Sequence, residues 1–590
     1  MKLVFSSNGY QKTDDHSEII YSGQWCLAGN AATYEKLRDF CILQHPWTNR
    51  DRFLQDYSFI KSIYDSALKE TARLLNSVHE VSISDRGWEI FVGPWLRIFI
   101  NCVFEREMLI EEALSKYDVD TVIVGKLKKA NKISSDTSGF IFDQDLPAWT
   151  DHLCVEILES IDPDIAITVL SSKDFITECP NVDKDKGFFR SLKRHLRLVL
   201  CSIDSRLSRN RQVVVHRLGF PLLKEIRVFM RARLMPHYYF RGMEPEKKKR
   251  VQQLERVRLN FDLGDAKVEK LVSQLLPKYL PKIFYENFAE AFELVAKYYP
   301  SAPKHIITSV AYYNEDLFKL FTAVNVDKGV PYSIIQHGGN YGVNVLNDDE
   351  EHILRTADKF FTWGWELPKI HEFADRIVPH SSILLSSTNQ VTADPTGGIV
   401  VPIYEWSFST FRLYNSPQSF RQLDYIDDIA CLFNLLPQNI ADQFKLRIKE
   451  GWSNWNIRHR FINYGMENTI LLQDSSFVEE LAKSRLTVIV NTNSTSILEA
   501  LELNFPTVFI LSDEYWPRIE ASKDYEYLEK VGILHRDIGS AAVHITQTFN
   551  DISHWWTGTD VQEARLNFVC KFAKSDKDKS STLRNLLKKI

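Results

Sequence analysis

The sequence contains no disulfide framework: its eight cysteines, Cys26, Cys41, Cys102, Cys154, Cys179, Cys201, Cys431 and Cys570, are scattered without a C-x-x-C pair. That spacing argues against a cysteine-built zinc site and fits reduced thiols. Also missing is any apolar run approaching the roughly 18 residues that suggest a membrane-spanning helix. The opening stretch Met1–Gly9 lacks the long apolar region and small-residue cleavage site of a signal peptide, so a cytoplasmic protein is expected. No heptad, short repeat or low-complexity tract is present, which excludes repeat architectures. Neither charge sign dominates: the formal net charge is -5 and the pI near 6.4, against a dedicated nucleic-acid binder.

What remains is the composition of a soluble globular protein, with 44% apolar and 25% charged residues. At 590 residues the chain has room for roughly two to four domains.

The most informative stretch runs from Arg485 to Ser512. Leu486 to Val490 is a short β-branched run, predicting a buried parallel strand. Asn491 to Ser496 supplies side-chain oxygens suited to a helix start, and Ile497, Leu498 and Leu501 recur at helical spacing. Pro506 opens a second apolar run, Thr507 to Leu511, completing a β-loop-α-β unit. Such a unit aims unsatisfied N–H groups and a positive dipole end at the carboxyl edge of the sheet, where anions bind. The competing reading is an ordinary capped helix.

A second stretch has the same grammar. His305 to Val310 reads as a strand, Glu315 to Val324 as a helix, and Pro331 to Gln336 as a strand ending in His337-Gly338-Gly339. Glycine lets backbone approach a ligand closely, so His337 in this loop is read as a site residue in preference to a satisfied core histidine.

Asp118-Val119-Asp120, Asp143-Gln144-Asp145 and Asp162-Pro163-Asp164 sit in turns, and the first precedes its strand (Asp120 to Val124) when a metal-binding pair should follow it. No catalytic metal is expected. Trp47, Trp88 and Trp95, in a mostly helical region from Ala32 to about Leu114, read as core, and Arg86 as a weak anion contact. The Lys/Arg-rich segment 184–258 is either a solvated helical surface or, given its aromatic interruption Met235–Phe240, a face toward an anionic membrane. Asp358 to Trp363 is expected to close the N-terminal domain, and Gly398 to Ile403 to open the next. Tyr425 to Leu435 and Ala441 to Glu450 are expected as helices and Thr469 to Gln473 as a strand, whereas the acids Asp348 to Glu351 read as a solvated turn and helix start.

These two loops, with Ser22-Gly-Gln-Trp-Cys-Leu27, Gly87-Trp-Glu-Ile-Phe-Val-Gly-Pro-Trp-Leu96 and Phe361-Thr-Trp-Gly-Trp365, resemble a GT-B-type glycosyltransferase. More narrowly, the chain is similar to the transferases encoded among bacterial O-antigen and surface-polysaccharide genes. The resemblance implies an α/β fold of two Rossmann-like domains facing a cleft, with a large helical elaboration of the N-terminal half. The expected divisions are 1–375 on the acceptor side, 376–560 for the nucleotide sugar, and a helical tail 561–590 packing back across the junction. It implies a nucleotide-sugar co-substrate, no other cofactor, and a glycan or lipid-linked glycan acceptor. His337 is then the acid/base or leaving-group residue, with Glu315 and Asp316 as candidate bases near the cleft edge. Ser494, Thr495 and Ser496 would hold the phosphate and Glu499 the ribose, with Asn493 a further donor contact and the backbone of Gly338 and Gly339 approaching the donor from the opposite domain. The hydroxyl-rich loop is similar to donor loops for CMP-activated ulosonic acids. A CDP-polyol phosphotransferase, a non-catalytic glycan-binding scaffold and a nucleotide-sugar epimerase are the competing functions.

Overall fold

A computed structural model describes residues 1–5, 18–28, 41–125, 133–169, 212–231, 256, 259–385, 391–408, 412–414, 419–449, 455–471, 475–491, 494–512, 515, 517–576 and 578–589. Three parallel sheets organise them. The first holds β1 (Lys2–Val4), β2 (Ile19–Tyr21), β3 (Thr121–Val124) and β4 (Ala166–Val169) in the order β2-β1-β3-β4. The second holds β5 (Val213–His216), β6 (His305–Thr308), β7 (Tyr332–Ile335), β8 (Lys359–Thr362) and β9 (Ile377–Pro379), adjacent in chain order. The third holds β10 (Gly398–Ile403), β11 (Phe444–Ile448), β12 (Ser484–Val490), β13 (Thr507–Ile510) and β14 (Leu534–His535), in the order β11-β10-β12-β13-β14. Central strands such as β6, β7 and β13 are buried along their whole length, as continuous apolar runs covered on both faces require.

Two long helices fill the N-terminal elaboration: α1 (Arg50–His79) and α2 (Asp85–Lys116). Every residue of α2 from Gly87 to Ile110 is buried, so this helix is wrapped on all sides rather than half-exposed. Gly93 permits that packing, because a Cβ there would lie 2.7 Å from the Tyr64 hydroxyl of α1. Shorter elements complete the frame: α3 (Thr137–Asp143), α4 (Leu222–Arg231), α5 (Asp316–Val326), α6 (Asp348–Thr356), α7 (Thr495–Glu502) and α8 (Lys579–Leu587).

The second and third sheets, each of five parallel strands, form the larger part of the α/β framework. Two connections tie them to the rest. The Gln24 side chain bonds the Leu423 amide at 2.9 Å and Asp424 at 2.7 Å, while Arg460 donates to the carbonyls of Leu27 and Ala28, fastening the first sheet to the third unit. The C-terminal segment crosses back, with Leu583 and Leu586 of α8 joining Val215, Ile335 and Phe361 in the core of the second sheet.

Three expectations are corrected. The stretch expected as a helix from Ala441 to Glu450 carries β11, because Phe444, Leu446 and Ile448 alternate with Lys445 and Arg447 at the sheet edge. Of the strand expected from Thr469 to Gln473, Thr469 ends a short 3-10 turn and Ile470 makes an isolated bridge to Leu446, while Leu472 and Gln473 lie outside the described residues. The second sheet also runs one strand beyond Trp363, since β9 pairs with β8.

Candidate functional site

The strand order of the third sheet reverses between β10 and β12, and at such a switch point the two following loops diverge and leave a crevice. Val400 pairs with Thr487, so four residues on Tyr404 stands level with Asn491 at the carboxyl edge. Asn491 adopts a left-handed φ of 43°, and its side chain bonds Asp428 and accepts from the Ser512 amide at 3.2 Å, pinning the loop to the next strand. Asn493 lies outside the described residues. Ser494 is the N-cap of α7, yet its hydroxyl does not cap the helix. It donates to the Tyr404 hydroxyl at 3.0 Å, and Tyr404 donates to Ser496 at 2.7 Å. This relay leaves the Ser496 hydroxyl hydrogen for another acceptor, beside a helix N-terminus that no side chain of the described residues caps. Half-buried Glu499, one turn further, has its carboxyl pushed up by burial, opposed by Lys579; no hydrogen bond or ion pair reaches it from the described residues.

Across the crevice, β7 delivers the His337 loop. Gln336 fixes that loop from within: its amide donates to the Gly338 carbonyl at 2.8 Å and its oxygen accepts from Trp363 N at 2.9 Å and Trp365 Nε1 at 2.8 Å. The Phe361–Trp365 motif is therefore the loop's support. The Gly339 amide donates to Thr495 Oγ1 at 3.0 Å, and a Cβ on Gly338 would lie 3.4 Å from the same oxygen. The two sequence-predicted loops thus touch. His337 is half-buried between the rings of Tyr341 and Tyr312, at 5.5 and 6.0 Å, with Nδ1 buried and without a partner among the described residues. Burial lowers its imidazolium pKa to about 4 against the pull of Asp349, so it is neutral near pH 7.

Glu315 and Asp316 are engaged elsewhere in the second unit. Glu315 bonds His216 at 2.8 Å and Arg217 at 2.9 Å. Asp316 accepts from the Thr137 amide and hydroxyl, both at 2.7 Å, and pairs with Lys319 at 2.6 Å, serving as the anchor of α3. Arg86 is likewise consumed, donating to the Thr356 carbonyl and Asp358.

The acids Asp348 to Glu350 correct the expectation of a solvated turn, because all three are buried. Arg97 of α2 pairs with Asp348 and Asp349; Tyr414 donates to Asp349 at 2.7 Å; Arg518 reaches Glu350 at 2.5 Å. Arg412 lies 4.3 Å over the Tyr313 ring and 3.9 Å from Asp349. These partners come from far along the chain, so only folding brings them together. Arms of the third unit at 412–414, 515 and 517–518 thereby clasp the chain that follows His337. Of the residues the sequence reading missed, Tyr404 carried a signal: it directly follows an apolar strand parallel to Leu486–Val490.

The sequence model of the LIC12162 family transferase matches residues 1–587, and the chain belongs to that family. It is accordingly a transferase. No curated protein matches the chain. Among solved structures, a variant of the wall teichoic acid polymerase TagF matches with a TM-score of 0.29 at 11% identity, over 49% of this chain and 73% of that one. The same polymerase soaked with CDPG gives 0.31 at 12% identity, covering 69% and 98%. Another TagF variant gives 0.32 at 12%, covering 68% and 97%.

Proposed function

We propose that the protein transfers a sugar from a nucleotide-activated donor to a surface-polysaccharide or O-antigen acceptor. The observation that supports this most is the switch-point crevice, where Tyr404, Ser494, Ser496 and the start of α7 stand against the Gly338–Gly339 backbone and an uncharged His337. Hydroxyls and a helix N-terminus suit the donor phosphate without metal. Glu499 suits a ribose diol, and His337 the proton of the acceptor hydroxyl. A CMP-ulosonic acid is one donor within this reading.

The test is a thermal-shift panel of CMP, CDP, UDP, GDP and dTDP on the wild type and Tyr404→Phe. One nucleotide is expected to raise the midpoint, since a ligand at 100 times its Kd adds about 2.7 kcal/mol. Tyr404→Phe removes two hydroxyl contacts and is expected to weaken that nucleotide by roughly tenfold. Indifference of the wild type to every nucleotide would favour the glycan-binding scaffold, whereas a phosphorus-containing polymer made from a CDP-polyol would mark phosphotransfer.

The acceptor is proposed to be lipid-borne, with docking by the described part of the basic segment, 212–231 and 256. On α4, Val228 and Phe229 enter the core while Leu223 and Met230 are 71% and 68% exposed on the same stripe as Arg227 and Arg231. Apolar and cationic groups on one face suit an anionic bilayer surface. Flotation with anionic vesicles at low salt is expected to capture the protein, and about 1 M salt or the double change Arg227→Glu and Arg231→Glu to release it. Failure to float at low salt would remove this docking surface.

A further inference from the structure

Two lysines from different elements converge on one ring. The Lys224 ammonium of α4 lies 5.5 Å from the Phe220 ring centroid, and the Lys579 ammonium, at the start of α8, lies 5.4 Å from it. Lys579 donates to the Leu384 carbonyl at 2.7 Å, and no carboxylate of the described residues is within ion-pair distance of either lysine. An aromatic face steadies a cation but does not neutralise it. Burial and the neighbouring Lys224 lower the Lys579 pKa to about 8, with Glu499 and Glu502 opposing them. Like charges with no acid in ion-pair contact repel, and an anion placed between them relieves that repulsion.

The neighbouring acids come from the third unit. Glu499 and Glu502 lie on α7; Glu502 is held by the Ser575 hydroxyl just ahead of α8, and Glu499 is without a partner among the described residues. Two ammonium groups without a paired acid, beside a carboxylate that has no partner among the described residues, form a set that complements a molecule with a phosphate and vicinal hydroxyls.

We infer that Lys224 and Lys579 form a phosphate subsite beside Glu499, closing on the ribose-linked phosphate of a nucleotide whose diol bonds Glu499. This rests on the nucleotide-donor reading. It gives the C-terminal helix a direct part in ligand binding: α8 brings Lys579 to the crevice while Leu583 and Leu586 hold the helix on the second sheet.

Isothermal titration of CDP, UDP and GDP, each beside its own nucleoside, tests the assignment on the full-length wild type, Lys224→Met, Lys579→Met and Lys579→Arg. Each methionine variant is expected to lose roughly tenfold in affinity for the nucleotide that the wild type binds, while the matching nucleoside changes less than about twofold. Lys579→Arg is expected to restore most of the loss by keeping the charge. Lys224 is exposed, so its variant reports on the ligand even if Lys579→Met does not fold. Unchanged nucleotide affinity in both methionine variants overturns the subsite and leaves the donor reading standing. Equal loss for nucleotide and nucleoside also overturns it, because the lysines then do not read the phosphate. A wild type that binds none of the three overturns the donor reading and the subsite with it.

Discussion

Asp349→Ala is expected to destabilise the protein by about 3–5 kcal/mol, the cost of leaving buried cations without their counter-charge. The residue carries more than one partner. Its carboxylate takes the Arg97 guanidinium and the Tyr414 hydroxyl, and lies 3.9 Å from Arg412. Arg97 is 8% exposed, so water cannot replace the lost acid there. Although burial raises the Asp349 pKa, Arg97 and Arg412 outweigh it and hold the carboxyl well below its usual range. A depressed carboxyl stabilises the fold above its unfolded pKa and loses that contribution only as pH falls through the folded value. Asp348 behaves oppositely, because burial lifts it to about 6 in spite of Arg97. The folded protein therefore takes up a proton there between about pH 6 and 4, which adds stability on acidification. Denaturant midpoints at pH 7 and 5 check both statements. A loss under about 1 kcal/mol in Asp349→Ala at pH 7 would mean that the arm at 412–414 does not depend on this acid.

The same cluster shows where sequence reasoning stops. Four consecutive acids are a solvated helix start by composition, and nothing nearby contradicts that; Arg97 precedes them by some 250 residues and Arg412 follows by some 60. The burial of the first three is a property of assembly. Strands β6, β7, β12 and β13 were legible because unbroken apolar runs end in glycine or polar clusters, a pattern carried within a few residues. β11 was misread because three apolar residues alternating with two basic ones, after a helix-like Ile440-Ala441, fit either period over so short a span. β9 is a three-residue edge strand containing Pro379, below what periodicity detects. At the site, the two loops were visible because glycine and hydroxyl residues at strand ends are unusual in a core. Their support was not visible: Gln336 looks like any strand residue until Trp363 and Trp365 are seen donating to it. Tyr404 follows from topology rather than motif, since a residue ending the strand beside Leu486–Val490 must share its edge.

His337→Ala is expected to lower the turnover of the proposed transfer by 10²–10⁴-fold while changing nucleotide affinity by only a few-fold. The direction follows from the ring's surroundings. Burial holds the imidazolium pKa to about 4, so at pH 7 the ring is neutral. Its Nδ1 meets no donor or acceptor among the described residues. A neutral imidazole can take a proton from an acceptor hydroxyl, whereas an imidazolium acid for the leaving phosphate would be scarce at neutral pH. The rate is therefore expected to stay level between pH 6 and 8 and to fall as pH drops toward 4, where the base becomes protonated. An acid role predicts the reverse slope, with the rate falling as pH rises above 4. His337→Asn separates chemistry from packing, because it keeps a polar side chain in the loop but carries no basic nitrogen. If Asn restores the Ala loss, the ring orients the Gly338–Gly339 backbone; if Asn is as slow as Ala with the nucleotide still bound, the missing function is proton transfer. A kcat within about threefold of wild type in His337→Ala would take the histidine out of the chemistry altogether.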